Sequence, residues 1–258
     1  MRTTVDGPNA HQSASAPASR ERMTSSRITI VLAEGEHLIR CGIRCLLEME
    51  AGFEVIGEAE EGLEVARLVA RLKPRILVVP VAMPGLNGLE IARQVRQQSP
   101  ETAVIILSRY SNEQYVIQAL RNGVLGYVLK YAKPAELVRA IRRVVAGRRY
   151  LSEPLSEHPL ETWLARAQDS VLDAYETLTD REREVLQLVA EGHKSTVIAS
   201  RLSISPRTVE AHRASVMRKM GFSTLVDVIL FAIARGILVR PVEPLFSSPT
   251  PRPIVAGP

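Results

Sequence analysis

Between residues 28 and 150, short apolar runs alternate with longer stretches whose apolar residues recur at helical spacing. The runs are 28–33, 54–58, 76–81, 103–107 and 126–129, and the stretches lie near 37–49, 61–72, 87–97, 113–122 and 134–146. Five strands alternating with five helices predict a parallel sheet covered on both faces. Residues 178–236 contain no strand-like run. They predict four short helices near 180–191, 194–202, 206–220 and 224–234.

The punctuation agrees with this division. Thr179 followed three residues later by Glu182 is a capping box. Ser205-Pro206 supplies a cap residue and a proline at the first helical position. Gly221 and Gly236 stand where helix C-terminal glycines belong. Residues 1–26 are rich in Ser, Thr, Ala and Pro, and residues 239–258 are rich in proline, so both are expected to be disordered tails. Residues 151–173 carry the sole tryptophan, Trp163, and read as a partly helical linker between a domain over 27–150 and a second over 174–238.

Composition narrows the function classes. Aromatics make up only 4% of the chain, so the core must be aliphatic. The net charge of +5 permits nucleic-acid binding without requiring it. Cys41 and Cys45 form neither a disulfide framework nor a zinc set. They fall on the first helix, away from Leu38, Ile43 and Leu46, and a bond within one helical turn strains disulfide geometry. No signal-peptide run or membrane-length apolar segment occurs, so a cytoplasmic location without membrane association is expected. The five histidines are scattered, and His158, before Pro159, reads as a surface residue. No catalytic constellation, phosphate loop or metal cluster is present in the pattern, so neither an enzyme nor a bound cofactor is expected.

The second and third helices of 178–236 are joined by only Ser203-Ile204-Ser205, the layout of a helix-turn-helix unit. In the third helix Val209, His212, Val216 and Met220 form an inward stripe, with His212 read as packing. Arg207, Thr208, Glu210, Ala211, Arg213, Ala214 and Arg218 face outward, and Lys219 lies near the end. Arg and Thr at a helix start suit phosphate and base-edge contacts. Glu210 reads either as a cytosine contact or as a solvated charge, and Arg218 as a solvated charge. Residues 174–238 hold nine basic against seven acidic residues. Nonspecific affinity should therefore be modest, and tight binding should need two copies on paired half-sites.

Leu178-Thr179-Asp180-Arg181-Glu182-Arg183-Glu184-Val185-Leu186, Ala190-Glu191-Gly192, Ile198-Ala199 and the run from Ile204 to Met220 closely resemble the LuxR-type helix-turn-helix of NarL/FixJ-class response regulators. The resemblance implies an all-α domain that binds double-stranded DNA. It places contacts at Ser205, Arg207, Thr208, Glu210, Ala211, Arg213, Ala214 and Lys219, and homodimerisation on the helix near 224–234. Where the family often carries Asn-Lys-Glu, this chain has Ser195-Thr196-Val197, so one backbone contact is in doubt.

The first domain resembles a receiver of the flavodoxin-like (CheY-like) α/β fold. The resemblance rests on Leu32-Ala33, Met83-Pro84-Gly85-Leu86-Asn87-Gly88, Leu107-Ser108, Gly126-Tyr127, Lys130 and Lys133-Pro134. A working receiver needs paired acidic residues for Mg²⁺, an Asp nucleophile, and a Ser or Thr with a Lys to bind phosphoryl oxygens. Here the acidic pair reads Glu34-Gly35 and the acceptor position reads Pro80. Residues 27–150 contain no Asp at all. Ser108 and Lys130 remain, and Tyr127 occupies the position of the family's switch aromatic. The expectation is a two-component regulator that works without phosphorylation, with Lys130 paired to Glu34 or Glu36. Control is left to constitutive dimerisation, to a protein or small-molecule effector in the old acidic pocket, or to Cys41 and Cys45. RNA polymerase is a candidate partner. A heterodimerising antagonist acting through the receiver-like half is the alternative.

Overall fold

The computed structural model describes residues 27–157, 159–169 and 174–238. The stretches read as tails, 1–26 and 239–258, lie outside the described residues, as do His158 and residues 170–173.

The first unit runs β1 (Ile28–Ala33), α1 (His37–Glu48), β2 (Phe53–Ala59), α2 (Gly62–Leu72), β3 (Ile76–Pro80), α3 (Gly88–Gln98), β4 (Ala103–Ser108), α4 (Glu113–Arg121), β5 (Gly126–Leu129), α5 (Pro134–Val145) and β6 (Tyr150–Leu151). The strands form one parallel sheet in the order β2-β1-β3-β4-β5-β6. Side chains alternate between its faces. Ile30 and Leu32 pack with Leu47 of α1 and Leu137 and Ile141 of α5, whereas Val31 and Ala33 pack with Val65 of α2, Ile91 of α3 and Val116 of α4. The near-continuous apolar strands follow from burial on both faces. The carboxyl ends of β1, β3, β4 and β5 bring Glu34, Pro80, Ser108 and Lys130 to one edge, where ligands of open α/β sheets bind.

Two features depart from the expectation. The sheet has six strands rather than five, because β6 is only two residues long and too short to show alternation. The segment after it also packs against the first unit. Helix α6 (Leu160–Asp169) lies on α4, and Leu155, Trp163 and Ala167 are buried in the same core as Val116 and Tyr127. Trp163 Nε1 donates to Leu155 O at 3.2 Å. On α1, Cys41 and Cys45 are exposed, but Leu38 is exposed too, and the helix buries Arg40 and Leu47 instead.

The second unit is helical: α7 (Asp180–Ala190), α8 (Ser195–Leu202), α9 (Pro206–Met220) and α10 (Leu225–Ala234). Its core joins Val185, Leu186, Leu188, Ile198, Leu202, Val209, Val216 and Val228. Both halves of the Thr179–Glu182 capping box form, and Gly221 caps α9 in the left-handed region (φ 69°). Thr224 and Asp227 make a second capping box at α10.

Candidate nucleic-acid interface and receiver pocket

The α8–α9 turn is built locally. Ser203 closes α8 in the left-handed region (φ 54°), and Ser205 Oγ accepts from Thr208 N at 3.0 Å to start α9. The Ser205 and Thr208 hydroxyls lie 2.8 Å apart. Around this start Ser205, Arg207, Thr208, Glu210, Ala211 and Ala214 are exposed, while Val209 and Val216 are buried and His212 is half-buried. The Arg207 guanidinium has no ion pair or hydrogen bond among the described residues. An unpaired cation and a hydroxyl on the first turn of an exposed helix suit phosphate and base-edge contacts.

The structure separates other candidates from that cluster. Arg213 donates to Ser195 Oγ at 2.8 Å and lies 3.4 Å from Glu210, which also accepts from Ser195. This triad ties α9 to the start of α8 and partly neutralises both charges. Lys219 sits four turns along α9, where its Nζ donates to Glu182 Oε2 at 2.7 Å and to Thr177 O at 3.1 Å. Lys194, at the cap position of α8, is exposed, and its side chain has no ion pair or hydrogen bond among the described residues. Sequence reading passed over it because a lone lysine before a short helix carries no pattern of its own.

Glu182 is the buried hub of this domain. Burial opposes its charge, but hydrogen bonds from Lys219, Ser215 and Thr179 prevail and hold its carboxyl down at about 2. Because the folded value lies below the unfolded one, the stabilisation is fully present above the ordinary value of 4.5 and is lost as pH falls towards 2. Unfolding midpoints of the wild type should therefore drop over that window. Those of Glu182→Gln should start lower and drop less; parallel curves would contradict this account.

At the sheet edge Glu34 is buried and bonded. Its Oε2 receives Lys130 Nζ at 2.6 Å, its Oε1 receives the Glu36 amide at 3.2 Å, and its carbonyl receives Arg40 at 2.7 Å. Of the two partners expected for Lys130, Glu34 is therefore the one present, while Glu36 pairs with Arg109 at 2.8 Å. Pro80 ends β3 opposite Leu107 and is buried. Its missing N–H leaves no broken ladder, because the next amide, Val81 N, bonds Leu107 O at 3.0 Å. Ser108 Oγ lies 3.1 Å from Tyr110 O and 2.9 Å from Tyr110 N, and the buried Tyr127 hydroxyl donates to the same carbonyl at 2.9 Å. Burial also pushes the Tyr127 hydroxyl pKa well up. Gly35 packs near the Pro84 ring. The strand ends thus present a Lys130–Glu34 pair and a proline, with Glu34 as the one buried carboxylate among them. Among the described residues no group of three or more His, Cys, Asp or Glu side chains could hold a metal ion. These residues do not fit a Mg²⁺ site.

A third arrangement joins the two units. The polar stripe of α7 meets the β3–α3 loop and α3. Gln187 Oε1 accepts from Asn87 N at 2.8 Å and from Asn87 Nδ2 at 3.0 Å, and its Nε2 donates to Met83 O at 3.1 Å. Glu191 accepts from Gly85 N at 2.9 Å. Arg183, 5% exposed, pairs with Glu90, 3% exposed, at 3.0 Å. Arg93 bridges Glu90 to Asp180, and Arg201 of α8 reaches Glu61 at 2.7 Å. Sequence reading missed this contact. Residues 180, 183, 184, 187 and 191 recur at helical spacing, the pattern of a solvated face.

Two family models match the chain, that of the response regulator receiver domain over residues 30–142 and that of bacterial regulatory proteins of the luxR family over residues 176–232. The uncharacterized transcriptional regulatory protein YhcZ of Bacillus subtilis (strain 168) is 35% identical over 204 residues, covering 79% of this chain and 94% of that protein. The chain is a DNA-binding LuxR-family two-component response regulator. The oxygen regulatory protein NreC of Staphylococcus aureus (strain JH9) is 32% identical to this regulator over 213 residues, covering 81% of this chain and 98% of that one. A crystal structure of a LuxR-family response regulator from Aurantimonas sp. SI85-9A1 superimposes on 54% of the regulator and 99% of its own chain, with 32% identity and a TM-score of 0.51.

Proposed function

We propose that the regulator binds operator DNA as a homodimer without being phosphorylated. The observation that carries this reading is the replacement of the acceptor by buried Pro80, together with a Lys130–Glu34 pair where the metal would sit. Proline offers neither a nucleophile nor a metal ligand, so no acyl phosphate can form there. The receiver packs on α7 and leaves the first turns of α9 exposed, which supports DNA binding from the unmodified state. Ser205, Arg207, Thr208, Ala211 and Ala214 make the contacts at the start of the helix, and Lys194 adds a phosphate contact from α8. Arg213 and Glu210 orient α8 against α9, and Lys219 secures the capping box rather than reaching DNA. Leu225, Val226 and Leu230, exposed on α10, supply the apolar face of the dimer. No helix among the described residues is long and apolar enough to cross a membrane, and we place the protein in the cytoplasm as a regulator rather than an enzyme.

The test is selection from random duplexes with purified, unmodified protein, beside intact-mass measurement after acetyl phosphate and Mg²⁺. The expected results are a two-fold-symmetric motif with half-sites about one helical turn apart and no phosphate on the receiver. A stable phosphate adduct mapped to residues 27–150 would refute the phosphorylation-independent reading. Thr208→Ala should weaken the selected site by about 1–3 kcal/mol and relax preference at one base pair, whereas Lys194→Ala should weaken all sequences alike and flatten the salt dependence. Equal effects of the two on every sequence would remove Thr208 from base reading.

A further inference from the structure

On the face of the sheet that carries α1 and α5, a cavity of about 460 Å³ opens between the two helices. Small-molecule pockets span about 300–1,000 Å³. Its walls are aliphatic, with Ile43 and Leu46 of α1 facing Leu137 of α5 over the ends of β4 and β5. Three cations, Arg109, Lys130 and Lys133, also line it, and no acidic residue does. Lys133 is exposed and has no ion pair or hydrogen bond from its side chain among the described residues. Lys130 belongs to two sites at once, since it lines this cavity while its Nζ holds Glu34 of the former phosphorylation pocket.

We propose that this cavity binds an amphipathic monoanion, a carboxylate carried on an aliphatic body. Aliphatic walls favour the hydrocarbon by removing it from water. A lining with cations and no carboxylates selects a negative headgroup and excludes an amine. The headgroup meets Lys133, which has no partner to give up, and lies beside Lys130, whose bond to Glu34 it weakens. Occupancy is thereby coupled to the old acidic pocket without any phosphoryl chemistry.

Gly42 makes the site testable. It lines the cavity from the middle of α1, and a Cβ added there meets nothing within 4 Å. Gly42→Leu therefore fills the cavity while raising helix propensity. Calorimetric titration of the full chain with decanoate, decanol and decyltrimethylammonium should show one decanoate bound per chain, decanol at least tenfold weaker, and no binding of the cation. Gly42→Leu should abolish decanoate binding, and Lys133→Gln should weaken decanoate at least fivefold while leaving decanol unchanged, both with wild-type circular dichroism. Four results would overturn the proposal: no decanoate binding by the wild type, unchanged binding by Gly42→Leu, equal affinity for decanol, or decanoate affinity that falls as protein concentration rises because a second copy covers the cavity. The readout is independent of DNA, so the site stands or falls separately from the operator-binding reading.

Discussion

Arg183→Leu is expected to destabilise the protein by about 3–5 kcal/mol, the usual cost of removing one partner from a buried ion pair. The guanidinium is 5% exposed and fully engaged. Nε donates to Leu178 O at 3.1 Å, the terminal nitrogens reach Glu90 and Glu176, and the group stacks 4.4 Å from the Tyr175 ring centroid. Without it Glu90 stays buried with Arg93 as its remaining cation. Urea unfolding followed by circular dichroism should show an earlier first transition, with the helical domain released from the receiver. The double variant Arg183→Leu/Glu90→Leu should recover part of the loss, since exchanging both partners for apolar groups is often near neutral. A single-variant loss below about 1 kcal/mol would mean that α7 and α3 are not held together in solution and that the interdomain contact is not part of the resting state.

The second large effect is expected at Gly88. An added Cβ would lie 1.9 Å from the carbonyl oxygen of Pro80, and backbone cannot swing aside as a side chain can. The α3 N-terminus approaches the end of β3 this closely because Gly88 N bonds Val81 O at 2.8 Å. Gly88→Ala should cost more than about 4 kcal/mol, in the range reserved for severe core lesions. Gly42→Ala, with open space around its Cβ, should stabilise by roughly 0.5–1 kcal/mol. Thermal unfolding of the pair reads both signs. A wild-type midpoint for Gly88→Ala would mean that the β3–α3 junction relaxes freely, and that Pro80 is less tightly placed than described.

Much of the DNA-binding half was legible residue by residue. Thr179, Ser205, Pro206 and Gly221 act within one turn of their own position, and the stripe of Val209 and Val216 follows from a 3.6-residue period. Local hydrogen bonding and periodicity write themselves into sequence. That position 80 is a proline, with no nucleophilic side chain, is likewise read from the sequence in any conformation. The sixth strand and the burial of Trp163 were not, because two residues show no alternation and α6 meets its apolar partners, on α4 and in the core around Tyr127, only once the chain has folded.

The least legible residues are those with two readings of equal local merit. Arg183, Gln187 and Glu191 form a stripe that suits water as well as it suits a polar surface, and only the arrival of Asn87, Gly85 and Glu90 some hundred positions away decides between them. The same holds for Lys219, basic at a helix end, whose pairing with Glu182 only packing brings about. It holds for Lys130, for which Glu34 and Glu36, both more than ninety positions away, were equally suitable partners until the fold brought Glu34 to it. The sequence alone determined the five longer strands of the sheet, the helices α1–α5 and α7–α10 and the caps at Thr179, Ser205 and Gly221, since each depends on neighbours in the chain. Tertiary structure alone decided which charges face water, because desolvation and pairing depend on groups that only folding brings together.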